Sequence, residues 1–97
     1  MKKVNLALQV LPTAGPHHDS YALVDAAINI IAQSGLKYKV CPFETVIEGT
    51  YAEVMEVVEK AQDACFAAGA EKMMVYIKIQ RDKNRDAQIE DKLNKYE

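Results

Sequence analysis

The stretch Glu44-Thr45-Val46-Ile47-Glu48-Gly49-Thr50-Tyr51-Ala52-Glu53 leaves this chain few architectures to choose from. Strand side chains alternate with period two, so Thr45, Ile47 and Gly49 share one side while Val46 and Glu48 point the other way. One face can be buried and the other can carry chemistry. Thr50 stands three residues before Glu53, the spacing at which a hydroxyl and a carboxylate satisfy backbone donors at a helix start. A strand therefore hands over to a helix within two or three residues. The chain before this junction reads as one β-α-β unit, and the chain after it completes a second.

Before that junction, Val4, Leu6, Leu8 and Val10 alternate with Asn5, Ala7 and Gln9, which predicts a first strand over residues 3–11 with a small, polar second face. Residues 12–18 contain Pro12, Gly15 and Pro16, and the expectation is a loop, because proline cannot continue a central strand. Asp19 or Ser20 can cap the next helix, residues 20–34, where Leu23, Val24, Ala27, Ile28, Ile30 and Ile31 form an apolar stripe. Gly35 is placed to end it in a left-handed conformation. Residues 36–40 read as a second strand, with Leu36, Tyr38 and Val40 on one face and Lys37 and Lys39 on the other. Pro42 marks a turn before the third strand.

Beyond the junction, Val54, Val57, Val58, Ala61, Cys65 and Ala68 line one side of a helix over residues 51–68, and Gly69 ends it. In the fourth strand, residues 71–80, Met73, Val75, Ile77 and Ile79 share a face, yet Met74 and Tyr76 make the opposite face apolar too. A sheet covered on one side only would leave those two in water, so the second side is expected to be covered. Residues 81–86 form a polar loop. Ile89, Leu93 and Tyr96 then define a narrow helical seam, too short to stand alone, that must dock on this subunit or another. The order β-α-β-β-α-β plus a third helix predicts a single ferredoxin-like α+β domain over residues 1–97. Its sheet has four antiparallel strands, with the first and third central, two helices on one face and an additional C-terminal helix.

Several functions of this fold lack their residues. A formal charge of -2 argues against a dedicated nucleic-acid binder, and the first strand has no aromatic platform for RNA. Cys41 and Cys65 form no C-x-x-C, so neither a zinc site nor a metal-transport loop is indicated, and two thiols in a core-capable chain fit a reducing, cytoplasmic setting. Asn5 and Gln9 interrupt the apolar run at the amino terminus, which is a poor signal peptide and too short to span a bilayer. His17 and His18 have no third ligand at recognisable spacing, and no metal is expected. The first loop contains no Arg or Lys to cradle an acyl phosphate, and no nucleophile–base motif appears, so no catalytic residue is expected.

Gln9-Val10-Leu11-Pro12, Ser34-Gly35-Leu36-Lys37-Tyr38, Thr45-Val46-Ile47-Glu48-Gly49 and Ile77-Lys78-Ile79, in that order and spacing, resemble the small thiamine-binding protein family over nearly the whole chain. The resemblance implies a cytoplasmic homo-oligomer, typically a homotetramer formed as a dimer of dimers whose sheets pack together. It implies binding of thiamine or its hydroxymethylpyrimidine portion as ligand, with no catalysis and no resident cofactor. The matched positions make Gln9, Thr45 and Glu48 ligand-binding candidates, joined by Tyr38 and Lys78.

Their chemistry suits that expectation. An aminopyrimidine sets a donor amine beside acceptor ring nitrogens, an edge that the Gln9 amide or the Glu48 carboxylate can read, with Thr45 adding a hydroxyl. A thiazolium cation suits a carboxylate or an aromatic face such as Tyr38 or Tyr76. Each residue also has a plainer use: Gln9 as an interface amide, Glu48 as a carboxylate at the start of the second helix, Lys78 as a solvated or ion-paired lysine. The alternative function is a structural or regulatory oligomer with no small-molecule ligand.

Overall fold

The computed structural model describes residues 2–15 and 20–94. The expectations for His17, His18, Asp19 and Tyr96 lie outside them. The elements are β1 (Lys3–Thr13), α1 (Ser20–Gln33), β2 (Lys37–Val40), β3 (Thr45–Thr50), α2 (Tyr51–Ala67), β4 (Lys72–Gln80) and α3 (Ile89–Asn94). The strands form one sheet in the order β2-β3-β1-β4, and every neighbouring pair is antiparallel. This is the ferredoxin-like arrangement, with β1 and β3 central.

One face of β1, Val4, Leu6, Leu8 and Val10, is buried against the helices. Leu23, Ala27 and Ile31 of α1 and Val54, Val57, Val58, Ala61 and Cys65 of α2 complete the core with Ile47 of β3. The Cys65 thiol donates across the helix pair to the Leu23 carbonyl at 3.3 Å. Burial pushes that thiol up from its ordinary pKa, so it behaves as a small core hydrophobe. Gly35 ends α1 with φ 81°, a conformation that a side chain would strain, and Gly69 follows α2 with φ 125°. Gly49 is needed for space rather than conformation. A Cβ there would lie 3.2 Å from Leu36 Cδ1, so its absence lets the β2 approach pack down on β3.

The expected loop at Pro12 is corrected: β1 runs on through Pro12 to Thr13, paired with β4 as Pro12↔Met73 and Thr13↔Lys72. β3 starts opposite Leu8, at Thr45, so this part of β1 is flanked by β4 alone. Proline is excluded from strands with neighbours on both sides but tolerated at an edge.

The junction between β3 and α2 carries both bonds of the expected capping box. The Thr50 hydroxyl accepts from the Glu53 N–H at 3.3 Å, and the Glu53 carboxylate accepts from the Thr50 N–H at 2.9 Å. These bonds, the one from the Thr50 backbone foremost, hold the Glu53 carboxyl below its ordinary pKa. Thr50→Ala should lower the unfolding free energy by about 1 kcal/mol, seen as a drop in Tm of roughly 4–8 °C for a domain of this size. A carboxyl with a depressed folded pKa contributes stability above its unfolded value and loses it as pH falls through the folded one. Glu53→Gln should therefore flatten the acid side of the stability profile, measured by urea melts near neutrality and at about pH 3.

Candidate functional site

Period-two alternation sorts the candidate residues before any distance is measured. Leu6 pairs with Ile47, which pairs with Tyr38, and Leu8 pairs with Thr45, which pairs with Val40. Tyr38 and Thr45 therefore lie on the helix side of the sheet. Asn5, Ala7 and Gln9 lie on the other side, joined there by Glu48 and Val46 from β3 and by Gln80, Lys78 and Tyr76 from β4. The structure brings Gln9, Glu48 and Lys78 onto one face and separates them from Tyr38 and Thr45.

That face is divided in two. At the end carrying Asn5 and Glu48, the segment after β4 folds back over the sheet. Ala87 N–H donates to the Lys3 carbonyl at 3.0 Å, and Lys3 N–H donates to the Asp86 carboxylate at 2.7 Å. The Glu48 carboxylate accepts from the N–H of Ile89, the first residue of α3, at 2.7 Å. Asn5, oriented to satisfy both neighbours, donates to the Ala87 carbonyl at 2.9 Å and accepts from Lys92 Nζ at 2.6 Å. Lys37 adds an ion pair to Glu90, which holds the Glu90 carboxyl below its ordinary pKa. Asn5 and Glu48 are buried as a result. Glu48 does serve a helix start, but that of α3 rather than α2, from which its side of the strand turns it away.

The other end of the face is open, with Met74 and Tyr76 exposed by 60% and 51%. Between the two ends lies a hollow of about 320 Å³ lined by Asn5, Ala7, Glu44, Val46, Lys78, Ile79, Gln80 and Lys92. Ala7 is its floor, because Lys78 and Val46 pair with it from either side. Lys78 Nζ meets Glu44 Oε1 at 3.0 Å, an ion pair that spans the intervening β1. Lys92 enters from α3 at the opposite end. The hollow therefore offers ammonium, carboxylate and amide groups around a small apolar floor, the equipment for orienting a polar heterocycle.

A second hollow, of about 390 Å³, lies on the helix side between α1 and the segment from Val40 to Thr45. Gln9 and Thr45 line it, together with Leu8, Val24, Ile28 and Phe43, so its walls are mainly apolar. Among the described residues no group of three or more His, Cys, Asp or Glu side chains is placed to hold a metal ion. No described helix is long and apolar enough to cross a membrane.

Comparison with known proteins gives this geometry a context. A family model described as "Thiamine-binding protein" matches residues 6–97. The chain belongs to the thiamine-binding protein family. A UPF0045 protein of Clostridium perfringens is 35% identical over 98 residues, covering 99% of each chain. Among solved structures, a domain of unknown function (DUF77) from Bacillus cereus superposes with a TM-score of 0.94 at 38% identity, covering 99% of this chain and 91% of that one. A Thermotoga maritima protein provisionally assigned to thiamine biosynthesis/salvage superposes with a TM-score of 0.86 at 27% identity, covering 98% and 99%. The family's description names binding rather than a reaction.

The members of the sheet-face hollow that sequence reasoning does not single out are Asn5, Ala7, Glu44, Val46, Gln80 and Lys92. Glu44 could have been found, since it stands two residues before Val46 and four before Glu48 on the same side of an extended segment. Lys92 could not, because its place depends on where α3 docks. Removing the acceptor for Ile89 leaves a buried donor unpaired, a loss of about 1–3 kcal/mol at that site. In Glu48→Ala, the amides of residues 87–94 should therefore exchange faster with solvent, while those of β1 and β3 keep their protection. Glu48→Gln retains a carbonyl acceptor and should preserve most of the protection, as hydrogen exchange with mass spectrometry would show.

Proposed function

We propose that this thiamine-binding family protein binds thiamine or its hydroxymethylpyrimidine portion without catalysis, on the helix-free face of the sheet, as a homo-oligomer. The observation that carries the reading is the hollow over Ala7, where polar and charged groups converge in a chain matched by the family model almost end to end. The Thermotoga relative's assignment to thiamine biosynthesis/salvage supports the same ligand class. Of the two hollows, this one has lysine, carboxylate and amide side chains together in its lining, the donors and acceptors for an aminopyrimidine edge, whereas the helix-side hollow has no lysine or arginine among the described residues.

Of the candidates named from the sequence, Lys78 is best placed for this role, since it lines the hollow; Gln9 follows Ala7 along the same side of β1 but lines the helix-side hollow. Glu44 takes the carboxylate role expected of Glu48, whose Oε1 is engaged by α3. Thr45 and Tyr38 contribute to the helix side. Self-association rests on the open end of the face, where Leu11, Met74 and Tyr76 present apolar surface that a second copy would remove from water. A dimer of dimers, in a cytoplasmic setting, is the assembly this reading favours.

Titration calorimetry should show saturable heat with thiamine or hydroxymethylpyrimidine, and Ala7→Leu, which fills the floor, should abolish it while leaving the melting temperature within a few degrees. Absence of heat and of thermal shift at about millimolar ligand would refute the reading, since that limit leaves only weak affinity. Light scattering should give a mass well above one chain, and Tyr76→Lys should lower it. Loss of assembly in Gln9→Ala with no ligand effect in any variant would instead favour a structural or regulatory oligomer.

A further inference from the structure

We propose that the sheet-face hollow selects the phosphorylated form of its ligand, a phosphate monoester of the pyrimidine alcohol or of thiamine, through an oxyanion position between Lys92 and Lys78. This rests on the binding reading above and extends it to the charge of the bound species.

Three observations favour an anionic ligand. First, the two ammonium groups lining the hollow face one lining carboxylate, Glu44, which is already paired with Lys78 at 3.0 Å. Second, Lys92, which lines the hollow, bonds through Nζ to a neutral acceptor, the Asn5 amide oxygen, a contact that does not cancel its charge. Third, the groups that would suit a bare thiazolium cation are placed elsewhere. Tyr38 lies on the helix side of the sheet, Tyr76 shares the helix-free face but does not line the hollow, and Glu48 is buried with its Oε1 on the Ile89 N–H. A cation in the hollow would meet Lys92 with no free carboxylate from the lining to offset it. A phosphate monoester, with its charge and three oxygens, would complete the donors of both lysines while its ring rested on Ala7.

The same arrangement assigns Asn5 a positioning role. Its amide is fixed by the Ala87 carbonyl on one side and holds the Lys92 ammonium on the other, so α3 brings a cation to the hollow at a set place. The charge therefore reaches the site from the C-terminal helix, and the pyrimidine-reading groups from the sheet.

Calorimetry with hydroxymethylpyrimidine, its phosphate monoester, thiamine and thiamine monophosphate tests this directly. Each phosphate ester should bind about tenfold or more tightly than its parent alcohol at low salt, as expected of charge-assisted bonds to two ammonium groups. In Lys92→Gln the ratio of ester to parent-alcohol affinity should shrink to about twofold, and Lys92→Arg should restore part of it. Lys78→Gln, on β4 rather than α3, repeats the test should the Lys92 variants disturb α3. Equal or tighter binding of the alcohols to the wild-type protein would overturn the inference and leave the binding proposal standing, as would an advantage that survives both glutamine variants. Heat from none of the four compounds would overturn both.

Discussion

The two-sided character of β1 governs the rest of the molecule. Val4, Leu6, Leu8 and Val10 seat both helices, while Asn5, Ala7 and Gln9 make the floor and flanks of the opposite surface. Because side chains alternate strictly, a one-residue slip of β1 against β3 or β4 would carry Asn5 and Gln9 into the core and the leucines onto the helix-free face. The energy that buries the leucines thus also fixes where the hollow lies. A hydrophobic requirement on one side sets the chemistry of the other.

The second requirement is polar. Asn5 and Glu48 sit opposite each other on β1 and β3, and left uncovered they would simply be hydrated. Once the 86–94 segment lies over them, water is displaced and each must be given a partner, which Ala87, Ile89 and Lys92 supply. A buried carboxylate or amide without a partner is costly, so this docking tolerates little sliding. Apolar contacts from Ala87 and Ile89 hold the segment down, and the hydrogen bonds set its position. The Lys92 ammonium is aimed by that registration.

Much of this architecture is legible in the residues, and the exceptions have identifiable causes. The strand pattern of Val4 to Val10 and the Thr50–Glu53 spacing are local signals, and the structure contains both features as expected. Pro12 departs from expectation because its effect depends on whether a strand lies on both sides, and that is decided by where β3 starts. The seam of Ile89 and Leu93 indicates a helix that needs support, but periodicity says which face is apolar and nothing about what it meets. Glu48 has the expected chemistry at a different helix, since the helix nearest in sequence lies across the sheet from its side chain. The candidate site is legible to the extent that it follows alternation: Gln9 and Lys78 fall on the open face, and Tyr38 and Thr45 do not. Lys92 requires the tertiary structure.

The contacts fastening the C-terminal segment join residues very distant in sequence, with Lys3 bonded to Asp86 across 83 positions and Glu48 to Ile89 across 41. Such closures cost more loop entropy than local ones and reward the chain only after the surface that receives them exists. The sheet and its two large helices can assemble without them. Six helical residues provide little cohesion of their own, so the segment depends on the surface that receives it. The hollow thus has a floor in the central sheet and one wall in a short helix tied down by a few long-range bonds, so its two sides draw on unequal reserves of cohesion.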